Sequence, residues 1–459
     1  MYKANEILVK NLLSKDYSND DLFYKAIDKS KSLIGLTLEE SLILLKKSED
    51  LKYKEILIDS AKKVTDKIFD QKVSIFVPLY ISNYCRNTCP YCVDRADNKE
   101  QKRVRLDNEQ FISEIQELRN RGFTGIEIVA ATDPKIYSDD YAKKIKLSKE
   151  YGARTVMANI DSMDEEDYKR LEDAGLDVYI LFQETYDSKI YSKLHNPKTH
   201  KGNMEYRLGA HDRAAKAGIR HLGLGALFGL FEYKYEVLSL INHAKYLKDS
   251  YNVTTSFSVP RIQESPFAPA TQKLKYKVSN DEMELIVAVL RLASPTSGIA
   301  ISTREDREIR KKLISIAGTS TSAESSTSVG GYVNIYQDLG QFPTHFISMS
   351  ETLEDILEIG KMPNFCTACS QTNTFGDIFN KISSAGDLRY ICQINTILSF
   401  AEYIETHQKN NKNLQGTLNS YIKKLKISEH LKLLIEEEVN RIKLGKKNSF
   451  VNPQTGELI

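Results

Sequence analysis

Three of the chain's six cysteines, Cys85, Cys89 and Cys92, fall within eight residues as C-x3-C-x2-C, inside the stretch LYISNYCRNTCPYCVDR from Leu79 to Arg95. Thiolates this close can share one metal centre. On a [4Fe–4S] cube, three of them leave the fourth iron without a protein ligand, open to a chelating small molecule. A structural zinc knuckle competes with this reading, but structural zinc takes four ligands, often from paired C-x2-C units. No further cysteine or histidine lies near Cys92, and the x3-x2 spacing favours the cluster. The other three, Cys366, Cys369 and Cys392, form C-x2-C-x22-C, again without a fourth. Taken beside the first triad they favour a second cluster, while on local spacing a zinc site completed by His345 or His407 stays open.

These groups need elements to hold them. From residue 73 short apolar runs alternate with amphipathic stretches: Val73–Leu79, Ile126–Ala131, Thr155–Ile160, Val178–Phe182, His221–Leu227, Ser256–Val259, Ile299–Ser302 and Ile314–Ala317. Between them lie helical patterns such as Asn108–Arg121, with Phe111, Ile112, Ile115 and Leu118 on one face. Eight strands alternating with helices predict a (β/α)8 TIM barrel, whose active site lies at the C-terminal ends of the strands. The first triad directly follows the first strand, so its loop opens onto the barrel mouth.

Residues 1–70 read as a helical N-terminal extension: Leu8, Leu12 and Leu13 share a face, and Thr37 caps a helix with an acidic first turn. Residues 71–345 form the expected barrel, and 346–459 a C-terminal helical domain around the second cysteine group. Its helical segments include Leu353–Ile359, Ile394–Thr406 and a surface helix at Leu431–Ile442. The Ser/Thr-rich stretch Thr319–Ser328 reads as a loop or a polar binding strip.

Composition narrows the classes. With 41% hydrophobic and 27% charged residues, the 459-residue chain can bury a sizeable core. Lys+Arg at 64 against Asp+Glu at 62 gives no basic field for nucleic acid or an anionic membrane. No apolar run of about eighteen residues and no secretory h-region is present. Two cysteine triads in a large chain do not resemble a disulfide framework. A reducing cytoplasm is the expected compartment.

The first triad, with Tyr91 just before its last cysteine, resembles the signature of the radical SAM superfamily. The resemblance implies that the open iron binds the amino and carboxylate groups of S-adenosylmethionine and delivers an electron to the sulfonium, releasing a 5′-deoxyadenosyl radical. It also implies that Tyr91 lies against adenine. Glu184, in Phe182-Gln183-Glu184 at the end of the fourth strand, stands where the ribose hydroxyls are held; a carboxylate is their natural acceptor. Arg207, in YRLGAHDRAAKAGI, stands where biotin synthase-like enzymes bind the methionyl carboxylate. By residue type alone Glu184 is equally a helix cap and Arg207 a surface ion pair. No side chain is assigned as catalytic, since the cofactor carries the radical chemistry.

The two triads together resemble the HydG family of radical SAM tyrosine lyases. Segments YILFQETY (179–186), LFGLFEYKYEVL (227–238), SVPRI (258–262), ISTRE (301–305), TSVGGY (327–332) and FCTAC (365–369) carry the likeness along nearly the whole chain. The resemblance implies a barrel with a C-terminal domain bearing an auxiliary [4Fe–4S]-type cluster. It implies cleavage of an amino acid, tyrosine in that family, at Cα–Cβ to p-cresol and dehydroglycine, the latter processed to carbon monoxide and cyanide for [FeFe]-hydrogenase maturation. A ferredoxin or flavodoxin electron donor and a maturation scaffold protein are the implied partners. The related ThiH family, which makes 2-iminoacetate, shares the first step and lacks the second cysteine group.

Departures cluster at positions expected around the cavity. Thr255 stands where the HydG family has an iron-binding histidine, and threonine is a poor substitute for imidazole. Glu324 and Ser326 replace a glycine and an arginine, altering the expected substrate-carboxylate contacts. Thr132 replaces a glutamate that would meet the methionyl amino group, and SQTNTFG (370–376) replaces an arginine-rich stretch. Alternatives are therefore a radical SAM enzyme on another amino acid, a 2-iminoacetate synthase, or a non-enzymatic iron–sulfur carrier.

Overall fold

The computed structural model of the chain describes every residue except Asn334 and Lys426. Eight strands run parallel: β1 (Lys72–Ser82), β2 (Gly125–Ala130), β3 (Thr155–Asn159), β4 (Val178–Glu184), β5 (His221–Ala226), β6 (Thr254–Ser258), β7 (Gly298–Ile301) and β8 (Ser320–Ser322). Each pairs with the next, and β1 pairs with both β2 and β8, so the sheet closes into a barrel. The helix Asn108–Asn120 shows how the outer layer forms. Asp107 and Gln110 make a reciprocal capping box, while Phe111, Ile115 and Leu118 are buried at helical spacing.

Seven strands fall where the apolar runs put them. The eighth does not: Ile314–Ala317 ends the helix Arg307–Ile316, where Ile309, Leu313 and Ile316 recur at i, i+4 and i+7 as its buried face. The strand lies just beyond, in the polar stretch expected as a loop or a polar binding strip. Thr321 Oγ1 donates to Ile301 O at 3.2 Å, and Ser322 faces an interior cavity. A strand that borders a polar cavity has no reason to be apolar.

Four helices, Glu6–Ser14, Asp20–Ser30, Leu38–Lys47 and Leu51–Phe69, precede the barrel. Thr37 does cap the third, in a capping box with Glu40. In the first helix Val9 and Leu12 are buried and Leu8 is exposed, so the face is rotated from the expected one. After residue 345 the pattern is not purely helical. A short strand, β9 (Met362–Asn364), joins the sheet beside β1, with Lys72 opposite Met362 and Ser74 opposite Asn364. The helices Asp387–His407 and Glu429–Lys443 follow, the latter burying Ile435, Val439 and Ile442.

The register of β9 sets the positions of the two cysteine groups. Cys85 comes three residues past the end of β1, whereas Cys366 comes two residues past Asn364, level with the start of β1. The groups therefore lie at opposite ends of one barrel. At roughly 3.3 Å per residue along β1 they stand on the order of 20–25 Å apart.

Candidate functional site

The loop carrying the first triad is fixed by polar contacts at its base. Asn83 Nδ2 donates to Lys102 O (2.8 Å) and Asp338 Oδ2 (2.9 Å), and its Oδ1 accepts from Val104 N (2.8 Å). Arg103 Nη1 donates to Asn83 O (2.5 Å) and Asp94 O (2.8 Å), clamping both ends of the cysteine segment. Cys92 N donates to Cys89 O (3.0 Å), turning the last two thiols to one side. All three cysteines line a cavity of about 220 Å³ at the barrel mouth.

Thiols are the donor type that iron–sulfur clusters take, and each end of the barrel carries three. The six cysteines are free of disulfides. A backbone N–H two residues on donates to the first thiol of each triad, Asn87 N to Cys85 Sγ and Ala368 N to Cys366 Sγ, both at 3.4 Å. Such bonds stabilise a ligating thiolate. Among the described residues no three Cys, His, Asp or Glu side chains converge tightly enough to hold a single ion. A cube, whose irons each take one thiolate, needs its ligands further apart. The zinc reading of the second triad also loses its histidines. His345 is exposed and hydrogen-bonded through its backbone to Thr303 at the mouth end. His407 packs on Tyr403, fifteen residues along the same helix from Cys392, or about 22 Å.

Tyr91, Glu184 and Arg207 all line the mouth cavity with the first triad. Tyr91 Oη meets His195 Nε2 at 2.7 Å, and His195 Nδ1 meets Tyr191 O at 2.9 Å. A carbonyl only accepts, so Nδ1 carries the proton and Nε2 accepts from Tyr91. Burial, reinforced by Lys201, pulls the His195 pKa down to about 3, so this imidazole is neutral. Glu184 is not a helix cap; Asp187 caps the following helix Ser188–Leu194. Its backbone takes φ +72°, a left-handed conformation at a bulge between Phe182 and Glu184 that turns the carboxylate into the cavity.

That carboxylate lies 2.7 Å from Lys201 Nζ and 3.6 Å from Arg207 Nη2. Burial alone would raise its pKa, and Lys201 and Arg207 outweigh burial and hold it below the ordinary value. Arg207 is not a surface ion pair either, being only 4% exposed. Its Nη1 donates to Asp161 Oδ1 (3.0 Å), and Nε and Nη2 donate to Phe182 O (3.0 and 2.6 Å). The ends of β3 and β4 thus carry one compact charged network. Sequence reasoning missed Lys201, Asp161 and Arg304. Lys201 has no signal in a lysine-rich chain, and Arg304 stood unremarked inside the quoted segment ISTRE.

The altered positions mostly do not face the cavity. Thr132 does: its Oγ1 accepts from Asn87 Nδ2 (2.8 Å) and donates to Asp161 Oδ2 (2.9 Å). Thr255 is buried with its Oγ1 2.7 Å from Ser297 Oγ, because strand alternation turns Thr255 outward while Ser258 lines the cavity. Glu324 sits at φ +50°, where glycine is at ease, and its carboxylate meets Arg121 (3.1 Å) and Met349 N (3.1 Å) outside the barrel. Ser326 accepts from Ser328 N (3.2 Å) under the Gly330–Gly331 turn. The expectation that these changes gather around the cavity therefore holds for Thr132 alone.

At the other end, residues 365–376 cross the barrel's lower rim. Thr124 Oγ1 donates to Phe365 O (3.0 Å), Thr155 Oγ1 to Ser370 Oγ (2.7 Å), and Gly376 N to Thr254 Oγ1 (2.8 Å). Asn364 joins this segment to β1 through Ser74 Oγ (2.8 Å) and accepts from Cys366 N (3.2 Å). Lys72 Nζ lies 3.1 Å from Cys392 Sγ.

Comparison with known proteins agrees with this geometry. The radical SAM superfamily profile matches residues 79–243, and that of the Biotin and Thiamin Synthesis associated domain matches 258–374. The 2-iminoacetate synthase of Escherichia coli (strain K12) is 30% identical over 323 residues, 70% of this chain and 84% of that enzyme. A crystal structure of HydG, a maturase of the [FeFe]-hydrogenase, superposes with a TM-score of 0.89 at 33% identity, covering 96% of this chain and 97% of that one. HydG from Carboxydothermus hydrogenoformans gives 0.82 at 30% identity, covering 95% and 98%. The chain belongs to the radical SAM superfamily. Within it, the chain is a member of the HydG-like group, related to 2-iminoacetate synthase. Membership implies a [4Fe–4S] cluster and S-adenosylmethionine; for the described residues, no helix is long and apolar enough to cross a membrane.

Proposed function

We propose that this protein is a lyase that breaks the Cα–Cβ bond of an amino acid, with tyrosine as the first candidate, giving p-cresol and dehydroglycine. The observation that carries this reading is the shared cavity. The first triad opens into the same space as the Glu184, Lys201 and Arg207 network. Cys85, Cys89 and Cys92 would hold the catalytic cluster, and Cys366, Cys369 and Cys392 an auxiliary one. Bound cluster and S-adenosylmethionine together supply a 5′-deoxyadenosyl radical.

The chain's own residues do the rest. Tyr91 presents a ring whose hydroxyl is tied to a neutral histidine, leaving the face for adenine. Glu184, itself held by Lys201, is the acceptor for ribose hydroxyls, and Arg207 fixes the strand ends around the methionyl group. The barrel wall keeps water from the reacting carbons. Residues 1–70 brace the barrel, 71–345 form it, and 346–459 carry the auxiliary site. A ferredoxin or flavodoxin donor, a maturation scaffold protein and a cytoplasmic setting complete the proposal.

A second reading, a lyase for another amino acid without iron–cyanide assembly, is favoured by Thr255, which offers no imidazole and faces Ser297. Anaerobic incubation with S-adenosylmethionine, dithionite and each aromatic amino acid tests both. Deoxyadenosine with p-cresol supports the tyrosine assignment; deoxyadenosine with a different aromatic product supports the second reading. Absence of both products would point to an iron–sulfur carrier.

A further inference from the structure

The wall of the mouth cavity holds one carboxylate that stands apart from the network at the strand ends. Glu127 lies on β2, three residues before the strand's last residue, Ala130, and so on the order of 10 Å along the strand below the rim. Strand alternation turns it inward: Glu127 and Val129 line the cavity, while Ile126 and Ile128, both buried, take the other face. Interior positions of such barrels are ordinarily filled by branched apolar side chains. A carboxylate in that layer is costly unless it finds a partner.

Among the described residues Glu127 has one hydrogen-bond partner, the neutral amide of Asn159, whose Nδ2 donates to Oε1 at 2.9 Å. Asn159 reaches it diagonally, since Asn159 lies opposite Val129 in the β2–β3 register. No lysine or arginine among the described residues pairs with it; the cavity's Lys201, Arg207 and Arg304 all follow the ends of their strands. Pro78 lies opposite Glu127 across the β1–β2 pair, and Phe76, Val129 and Leu181 add further apolar wall. A flat apolar ring suits that wall, with a single polar acceptor set into it. The depth from the rim is comparable with the length of an aromatic amino acid from its α-carbon groups to a para substituent. Burial raises the Glu127 pKa to about 7. Near neutral pH the group is therefore present as acceptor and as donor, and a hydroxyl, which can donate and accept, satisfies either form.

We infer that Glu127, with Asn159 beside it, receives the hydroxyl at the far end of an aromatic amino-acid substrate and so selects hydroxylated rings over plain ones. This rests on the proposed lyase function and adds to it what sets the substrate class: a polar hydrogen on the ring, opposite the amino-acid end. Glu127 acts by binding, as a specificity-determining residue.

The test uses reconstituted full-length enzyme and three probes: L-tyrosine, 4-amino-L-phenylalanine, which keeps a donor at the para position, and L-phenylalanine, which has none. The readout is the concentration of each that half-saturates deoxyadenosine formation. In the wild type, phenylalanine needs about 10- to 100-fold more than the other two, the range for one hydrogen bond to a charged group. In Glu127→Leu the values for tyrosine and 4-aminophenylalanine rise to that of phenylalanine, which does not rise, and the KM for S-adenosylmethionine stays within about twofold. Glu127→Gln falls between, because a neutral acceptor is the weaker partner. A wild type that responds to phenylalanine as readily as to tyrosine would overturn the inference even if neither variant folds, and would leave the lyase reading standing. So would a variant in which all three amino acids shift alike, the mark of a residue that only packs, or one in which the KM for S-adenosylmethionine moves instead. A wild type whose deoxyadenosine formation responds to no amino acid overturns the lyase reading itself, and does so before any substitution is made.

Discussion

Lys72 Nζ donates to Cys392 Sγ across 3.1 Å, although 320 positions separate the two residues. Lys72 is the first residue of β1 and Cys392 lies on the helix Asp387–His407, so one contact joins the barrel's lower rim to the second cysteine group. An ammonium on a ligating sulfur stabilises the more negative, reduced state of a cluster. Lys72→Met should therefore make the midpoint potential of the second centre more negative. A redox titration followed by EPR, in protein whose first triad has been replaced by alanine, reads that centre alone. An unchanged potential would show that the lysine only packs there.

The two triads should be separable by iron content. Cys89→Ala and Cys369→Ala should each lose about four irons after reconstitution, the content of one cube. Only Cys89→Ala should abolish deoxyadenosine formation, because only the first triad opens into the cavity of Glu184 and Arg207. Loss of deoxyadenosine in both variants would contradict the assignment of separate roles to the two ends.

Much of the fold can be read from period and spacing, and the failures have physical causes. Val73–Leu79 is legible as a strand because Val73, Ile75, Val77 and Leu79 alternate along it as one buried apolar face. Ser320–Ser322 is not, because one face borders a polar cavity and the other is satisfied by Thr321 bonding Ile301 O. β9 is three residues long and gains its place only by pairing with β1, a long-range fact that no local pattern carries. The cysteines announce themselves by spacing. Lys201 and Arg304 do not, since what distinguishes them is having or lacking a carboxylate partner in three dimensions.

Glu127 offers a pH test of the barrel interior. It lies on β2, lines the cavity and accepts from Asn159 Nδ2 at 2.9 Å. Burial raises its pKa to about 7, against the lowering effect of that hydrogen bond. A raised carboxyl pKa means that stability is fully present below the unfolded value near 4.5 and is lost as pH rises through about 7. Glu127→Gln should thus match the wild type near pH 4 and exceed it near pH 8, by at most about 3 kcal/mol. Thermal melts of both proteins across that range check the sign. A constant difference at all pH values would mean that Glu127 does not titrate in the fold.

Glu184 carries the sharpest structural consequence, because two buried cations depend on it. Lys201 approaches to 2.7 Å and Arg207 to 3.6 Å, and Glu184 is 8% exposed. Removing one partner of a buried pair typically costs about 3–5 kcal/mol, since the remaining charge stays desolvated. Arg207 keeps Asp161 and Phe182 O, so the larger share of the loss falls on Lys201. Glu184→Gln should lower the melting temperature and raise the KM for S-adenosylmethionine. Adding Lys201→Met should restore part of the stability and none of the KM, because the stranded charge is gone while the hydroxyl acceptor is still missing. A double variant that recovers both would place Glu184 in a purely structural role, and one that recovers neither would show that Arg207, not Lys201, is the charge left uncompensated.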